Sequence, residues 1–139
     1  MTSNSKQVDT KKYTEFVDTV TSRESNEYMY FNKRCFDLHS EGLPIERLLT
    51  AALGICAEGG EFTEVVKKMT FQGKPLNEEN VFHMKRELGD IMWYVAQACM
   101  ALDTSIDEII EMNVDKLKSR YPGGEFDVHH SENRAEGDL

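Results

Sequence analysis

Residues 81–102 read VFHMKRELGDIMWYVAQACMAL, and this stretch decides the fold. Val81, Met84, Leu88, Ile91, Val95, Ala98 and Leu102 follow one another at alternating spacings of three and four. That period lays apolar side chains along one face of an α-helix and predicts a seam against other helices. From Ile91 to Leu102 the stretch is apolar nearly all round, so this half should be covered on more than one side.

The flanking sequence has the same helical grammar. Upstream, Leu48, Leu49, Ala52, Leu53, Cys56, Phe62, Val65, Val66 and Met69 predict a long helix over residues 45–69. Gly59 and Gly60 interrupt it; each costs about 1 kcal/mol inside a helix, so the pair requires close packing or ligand access. Gln72, Gly73, Lys74 and Pro75 form the connection to the next helix. Downstream, Thr104 or Ser105 is placed to cap a further helix, with Asp107 or Glu108 as capping-box partner. Ile106, Ile109, Ile110, Val114 and Leu117 mark its inner face, and Tyr121, Pro122, Gly123 and Gly124 end it.

Towards the N-terminus, Tyr13, Phe16, Val17 and Val20 predict a short amphipathic helix over residues 11–21. Residues 23–38 either continue it or form a second piece. Gly42 and Pro44 then mark a helix end and a helix start. The sum is an all-α, four- to five-helix bundle over residues 11–122. Residues 1–10 form a flexible N-terminus, and residues 123–139 an acidic tail with little to bury after Val128.

The chain has 139 residues and a formal net charge of −9. A surface so acidic argues against nucleic acid or an anionic membrane as partner. A polyphosphate ligand would need a divalent cation to cancel the repulsion. Cys35, Cys56 and Cys99 are widely spaced and odd in number, which fits a reducing cytoplasm better than a disulfide framework.

Candidate chemistry lies in two acidic pairs. Glu58 and Glu61 are three apart on the 45–69 helix, and Glu87 and Asp90 are three apart on the next, beside the seam residues Leu88 and Ile91. Residues at i and i+3 share a helix face, and a short connection makes the two helices antiparallel neighbours. Four carboxylates brought together suit Mg²⁺, with Mn²⁺ as the other hard-cation option. A di-iron or di-manganese bundle would instead show Glu-x-x-His on two helices. Here Glu64 and Asp90 follow Glu61 and Glu87 by three. Asn113, Lys116 and Arg120 form a polar stripe on the last helix. Trp93 and Tyr94 fit either a base-stacking role or the core. Lys67 and Lys68 fit either phosphate contact or a solvated face.

Taken together, EGGEFTEVVKK (58–68), ELGDIMWYV (87–95) and NVDKLKSRYP (113–122) closely resemble the MazG-like nucleoside triphosphate pyrophosphohydrolases. The resemblance spans roughly residues 45–122. It implies an all-α, Mg²⁺-dependent enzyme that cleaves a nucleoside triphosphate into monophosphate and pyrophosphate, working as a homodimer or homotetramer. It implies that Glu58, Glu61, Glu87 and Asp90 hold the metal, that Lys116 and Arg120 contact phosphate oxygens, and that Asn113 hydrogen-bonds nearby. Gly59 stands where the family commonly has Ala. A guanosine tetraphosphate alarmone, dUTP, or a non-catalytic role as a helical interaction module are the alternatives.

Overall fold

The computed structural model describes residues 6–138; residues 1–5, part of the expected flexible N-terminus, lie outside this range. The described residues are all-α, with seven helices and no strand. None of these helices is long and apolar enough to cross a membrane. The chain divides into two units, Met1–Leu43 and Pro44–Leu139.

The first unit holds α1 (Thr10–Val20), α2 (Arg23–Asn26) and α3 (Tyr28–Ser40). Asp9 caps α1 by accepting from the Lys12 amide at 3.1 Å. The 23–38 stretch is a separate piece from α1 and is itself broken at Glu27, which is extended at φ −124°, ψ 115°. Local bonds account for the break. Ser22 caps a single turn by accepting from Ser25, and the Glu27 amide closes that turn on the Arg23 carbonyl at 2.8 Å. The Arg23 guanidinium then lies 3.8 Å over the Tyr30 ring and links α2 to α3. Gly42, at φ +102°, ends α3 in the left-handed conformation that a side chain would resist.

The second unit holds α4 (Ile45–Phe71), α5 (Glu78–Ala101), α6 (Ile106–Arg120) and α7 (Val128–Glu132). Its main packing is α4 against α5, with α6 only lightly attached to α5. In the connection, Gly73 turns at φ +71°. The buried Asn80 donates its side-chain amide to the Pro75 carbonyl at 2.7 Å, pinning the loop to the start of α5. At the far end Asp103, at φ +52°, stops α5, and Ser105 caps α6 by accepting from the Glu108 amide at 3.1 Å.

Gly54 sets the register of the α4–α5 pair. A Cβ there would lie 2.1 Å from the Tyr94 ring, so the ring rests directly on α4 backbone. Moving one turn along α4 and one turn back along α5 takes Gly54–Tyr94 to Glu58–Asp90, because the helices run antiparallel.

Burial departs from the periodicity. The buried positions of this unit are Ala51, Gly54, Val65, Asn80, Cys99 and Ala101, all of them small or medium-sized. Met92, Trp93 and Met100 are exposed, as are the seam residues Leu88 and Leu102. Within one chain, the expected cover on several sides of residues 91–102 is therefore missing. A helix with one main neighbour buries one narrow stripe, and the rest of its apolar surface stays open.

Candidate functional site

The α4–α5 register carries three carboxylates to one place. Glu58 on α4 and Glu87 and Asp90 on α5 each offer an oxygen within 4.8 Å of the others. The Glu58 and Glu87 carboxyls lie close together across the helix pair. Loss of solvent raises the Glu58 carboxyl above its ordinary value; the bond to Glu87 and the charges of Asp90, Glu87 and Glu61 raise it further. Glu87 is the most enclosed, its side chain 12% exposed. Asp90 faces solvent.

Glu61 is exposed and lies outside this close group, one turn beyond Glu58. Its charge nevertheless reaches Glu58. The space over Gly59 and Gly60, between the two α4 acids, is open, so close packing within the chain does not explain that pair.

His83, four residues before Glu87, is not among the site residues expected from the sequence. Its Nε2 lies 2.8 Å from Glu87 Oε1, one turn earlier on α5. The only signal for it was the i to i+4 spacing, which any solvated helix offers. Lys67 and Lys68 pair with Glu64 at 2.9 and 3.1 Å. Their hydrogen bonds hold the Glu64 carboxyl below its ordinary value. Glu64 is thus a neutralised surface acid and the two lysines its partners.

Three oxygen donors on two helices, crowded so that the Glu58 carboxyl holds its proton more tightly, suit a hard divalent cation. Such an ion can take the place of that proton. Nothing in the cluster supplies the sulfur that a softer ion prefers.

The polar stripe on α6 is placed elsewhere. Arg120 donates from Nε and Nη2 to the two carboxylate oxygens of Asp138, both at 2.8 Å, and Lys116 Nζ lies 3.6 Å from the same carboxylate. A cavity of about 430 Å³ beside them is lined by Met112, Asn113, Lys116 and Ser119 on one side and by residues 135–138 on the other. Glu58, Glu61, Glu87 and Asp90 do not line that cavity. The tail that was expected to stay loose thus carries α7 and returns to α6 through Asp138.

Tyr94 is packed on Gly54 and meets Trp93 edge-on at 4.9 Å. Trp93 is 57% exposed and keeps a free ring surface. In the tail, Asp127, His129 and His130 also come together. Asp127 is already engaged, capping α7 through the His130 amide at 2.9 Å and lying 3.2 Å from His130 Nδ1.

Residues 47–124 match the family model for the MazG nucleotide pyrophosphohydrolase domain. The match takes in the three acidic residues of the cluster, Glu61 and the α6 stripe. Among curated proteins, the Gene 37 protein of Mycobacterium phage L5 is 37% identical over 81 residues, covering 58% of this chain and 71% of that protein. No solved structure matches the chain.

Proposed function

Since the chain belongs to the MazG nucleotide pyrophosphohydrolase family, we propose that it is a Mg²⁺-dependent hydrolase of nucleoside or deoxynucleoside triphosphates, releasing the monophosphate and pyrophosphate. The observation that carries this reading is the convergence of Glu58, Glu87 and Asp90 across the α4–α5 pair. In this reading Glu58, Glu61, Glu87 and Asp90 hold Mg²⁺, or Mn²⁺ in its place. The cation supplies charge neutralisation and a more acidic bound water.

The chain's own residues then orient and hold. Glu87, oriented by the His83 contact on Oε1, would hold the cation together with Glu58 and Asp90. Arg120 and Lys116 bind phosphate oxygens, the planar guanidinium by two parallel bonds and the lysine as a point charge. Asn113 adds a neutral hydrogen bond. Trp93 offers its exposed face to a base, while Tyr94 spaces the helices. One water attacks the α-phosphorus and forms the new P–O bond, the bridging P–O bond to the β-phosphate breaks, the leaving pyrophosphate takes the electron pair, and the water's proton passes to solvent.

The same reading makes the enzyme a homodimer or homotetramer. Leu53 is 71% exposed, Met100 61% and Ile110 55%, and no large side chain among the described residues is fully buried. Apolar surface on this scale calls for a second copy. The carboxylate cluster does not line the cavity beside the α6 stripe; in this reading a second copy brings the two groups to one substrate. Light scattering should give a mass above the 15.9 kDa of one chain; a monomer at micromolar concentration would defeat this part. Free cysteines at Cys35, Cys56 and Cys99 are consistent with a cytoplasmic setting.

The deciding experiment is a panel of all ribo- and deoxynucleoside triphosphates and the guanosine tetraphosphate alarmone, incubated with Mg²⁺ and analysed by ³¹P NMR. Monophosphate and pyrophosphate from at least one triphosphate are the expected products. Preference for the alarmone or for dUTP would move the substrate assignment within the same chemistry. No turnover of any member would overturn the enzymatic reading in favour of an interaction module.

A further inference from the structure

A two-bond, largely enclosed ion pair joins α6 to the tail. The Arg120 side chain is 13% exposed and Asp138 9%. Both oxygens of Asp138 meet the guanidinium fork, and Lys116 stands 3.6 Å away on the same side. A planar fork that takes two carboxylate oxygens in parallel is the geometry that takes two phosphoryl oxygens. The tail therefore places an internal anion where the proposed function places the substrate's phosphates.

We propose that residues 133–138 form a displaceable cover over the α6 stripe, with the Asp138 carboxylate competing against a phosphoryl group for Arg120 and Lys116; this rests on the reading of those two residues as phosphate contacts. Further observations support it. The segment hangs from α7 at one end: the Asn133 amide and side chain both donate to the His129 carbonyl, at 2.8 and 2.9 Å, and beyond it residues 134–137 are exposed, with the turn from the Asp138 amide to the Ala135 carbonyl at 3.0 Å as the local backbone bond. Gly137, at φ +86°, supplies the reversal that aims Asp138 back at α6. The adjoining cavity, bounded by Asn113, Lys116 and Ser119, gives an incoming phosphoryl group room beside the fork. The bond to Arg120, with its charge and that of Lys116, draws the Asp138 carboxyl below its ordinary value, so the competitor is ionised at neutral pH. Segments with few buried contacts open at low free energy, so release of the cover does not require unfolding α6.

Competition at one site is reciprocal: weakening the tail must strengthen the anion, and binding the anion must free the tail. The test uses the full chain with inorganic pyrophosphate and Mg²⁺. Calorimetry should show Asp138→Asn, which keeps the shape and removes the charge, binding pyrophosphate about tenfold more tightly than wild type. In wild type, pyrophosphate should speed trypsin cleavage after Arg134, followed by mass spectrometry. Unchanged affinity in Asp138→Asn together with pyrophosphate-independent cleavage would overturn the proposal. Arg120→Ala separates the two layers. If it loses pyrophosphate binding while Asp138→Asn behaves as wild type, the cover fails and the phosphate stripe stands. If Arg120→Ala keeps full affinity, the stripe itself fails and the cover with it.

Discussion

Gly54→Ala tests the contact that aligns the carboxylates. The new Cβ would stand 2.1 Å from Tyr94 Cδ1, 2.2 Å from Cε1 and 2.4 Å from Cγ. Carbon atoms rest at about 3.5–4.0 Å, so ring and helix must part by roughly 1.4 Å. On an open helix face the same change stabilises by about 1 kcal/mol, because Ala is the better helix former. Overpacking of a close-packed contact costs about 1–3 kcal/mol, and a clash with a ring against backbone belongs at the upper end. The net expectation is a loss of about 1–2 kcal/mol, read as a fall in Tm of roughly 3–8 °C. Gly60→Ala on the same helix has nothing within 4 Å of its Cβ, so it should gain about 1 kcal/mol. Circular dichroism at 222 nm during heating gives both numbers. Because Gly54 lies one turn before Glu58, and Tyr94 one turn after Asp90, the forced separation should also weaken Mg²⁺ binding. Tyr94→Val in the Gly54→Ala background should recover part of the lost stability, which a double-mutant cycle resolves. The reasoning is refuted if Gly54→Ala raises Tm as Gly60→Ala does, or if its cost is independent of Tyr94.

Three further outcomes are expected. Glu58→Gln, Glu61→Gln, Glu87→Gln and Asp90→Asn should each lower kcat by about 10²–10³-fold with helicity intact, whereas Glu132→Gln should be silent; full activity in two of the four would remove the site. His83→Ala should weaken Mg²⁺ binding, measured by calorimetry, by about tenfold, and His83→Gln, which keeps a donor, should restore much of it; equal affinities in all three proteins would make His83 a surface residue. The raised Glu58 carboxyl means that the folded chain binds that proton more tightly than the unfolded chain does. Its contribution to stability is therefore complete below the ordinary 4.5 and is lost as pH rises through the higher folded value. Urea midpoints of wild type relative to Glu58→Gln should fall across that window without metal and stay level with Mg²⁺; a difference that is flat without metal contradicts the raised Glu58 carboxyl.

Most of the helices were legible because helix formation is local. Seam spacing, the Ser105 cap and the Gly42 stop act within one or two turns, so residues a few positions apart suffice to predict them. The acidic pairs were legible for the same reason, since i to i+3 spacing already puts two carboxylates on one face. Local signals failed first at Glu27, where competing side-chain and backbone bonds cut a continuous apolar pattern into α2 and α3. Tertiary packing alone decided the rest. Glu58 meets Asp90 because Gly54 lacks a side chain where Tyr94 needs room, a fit of volumes between residues forty positions apart that no periodicity records. Arg120 meets Asp138 across 18 residues of a segment whose composition reads as loose tail. The sequence marks which surfaces are apolar, but what covers them depends on how many neighbours each helix acquires, and within one chain α5 acquires one main partner.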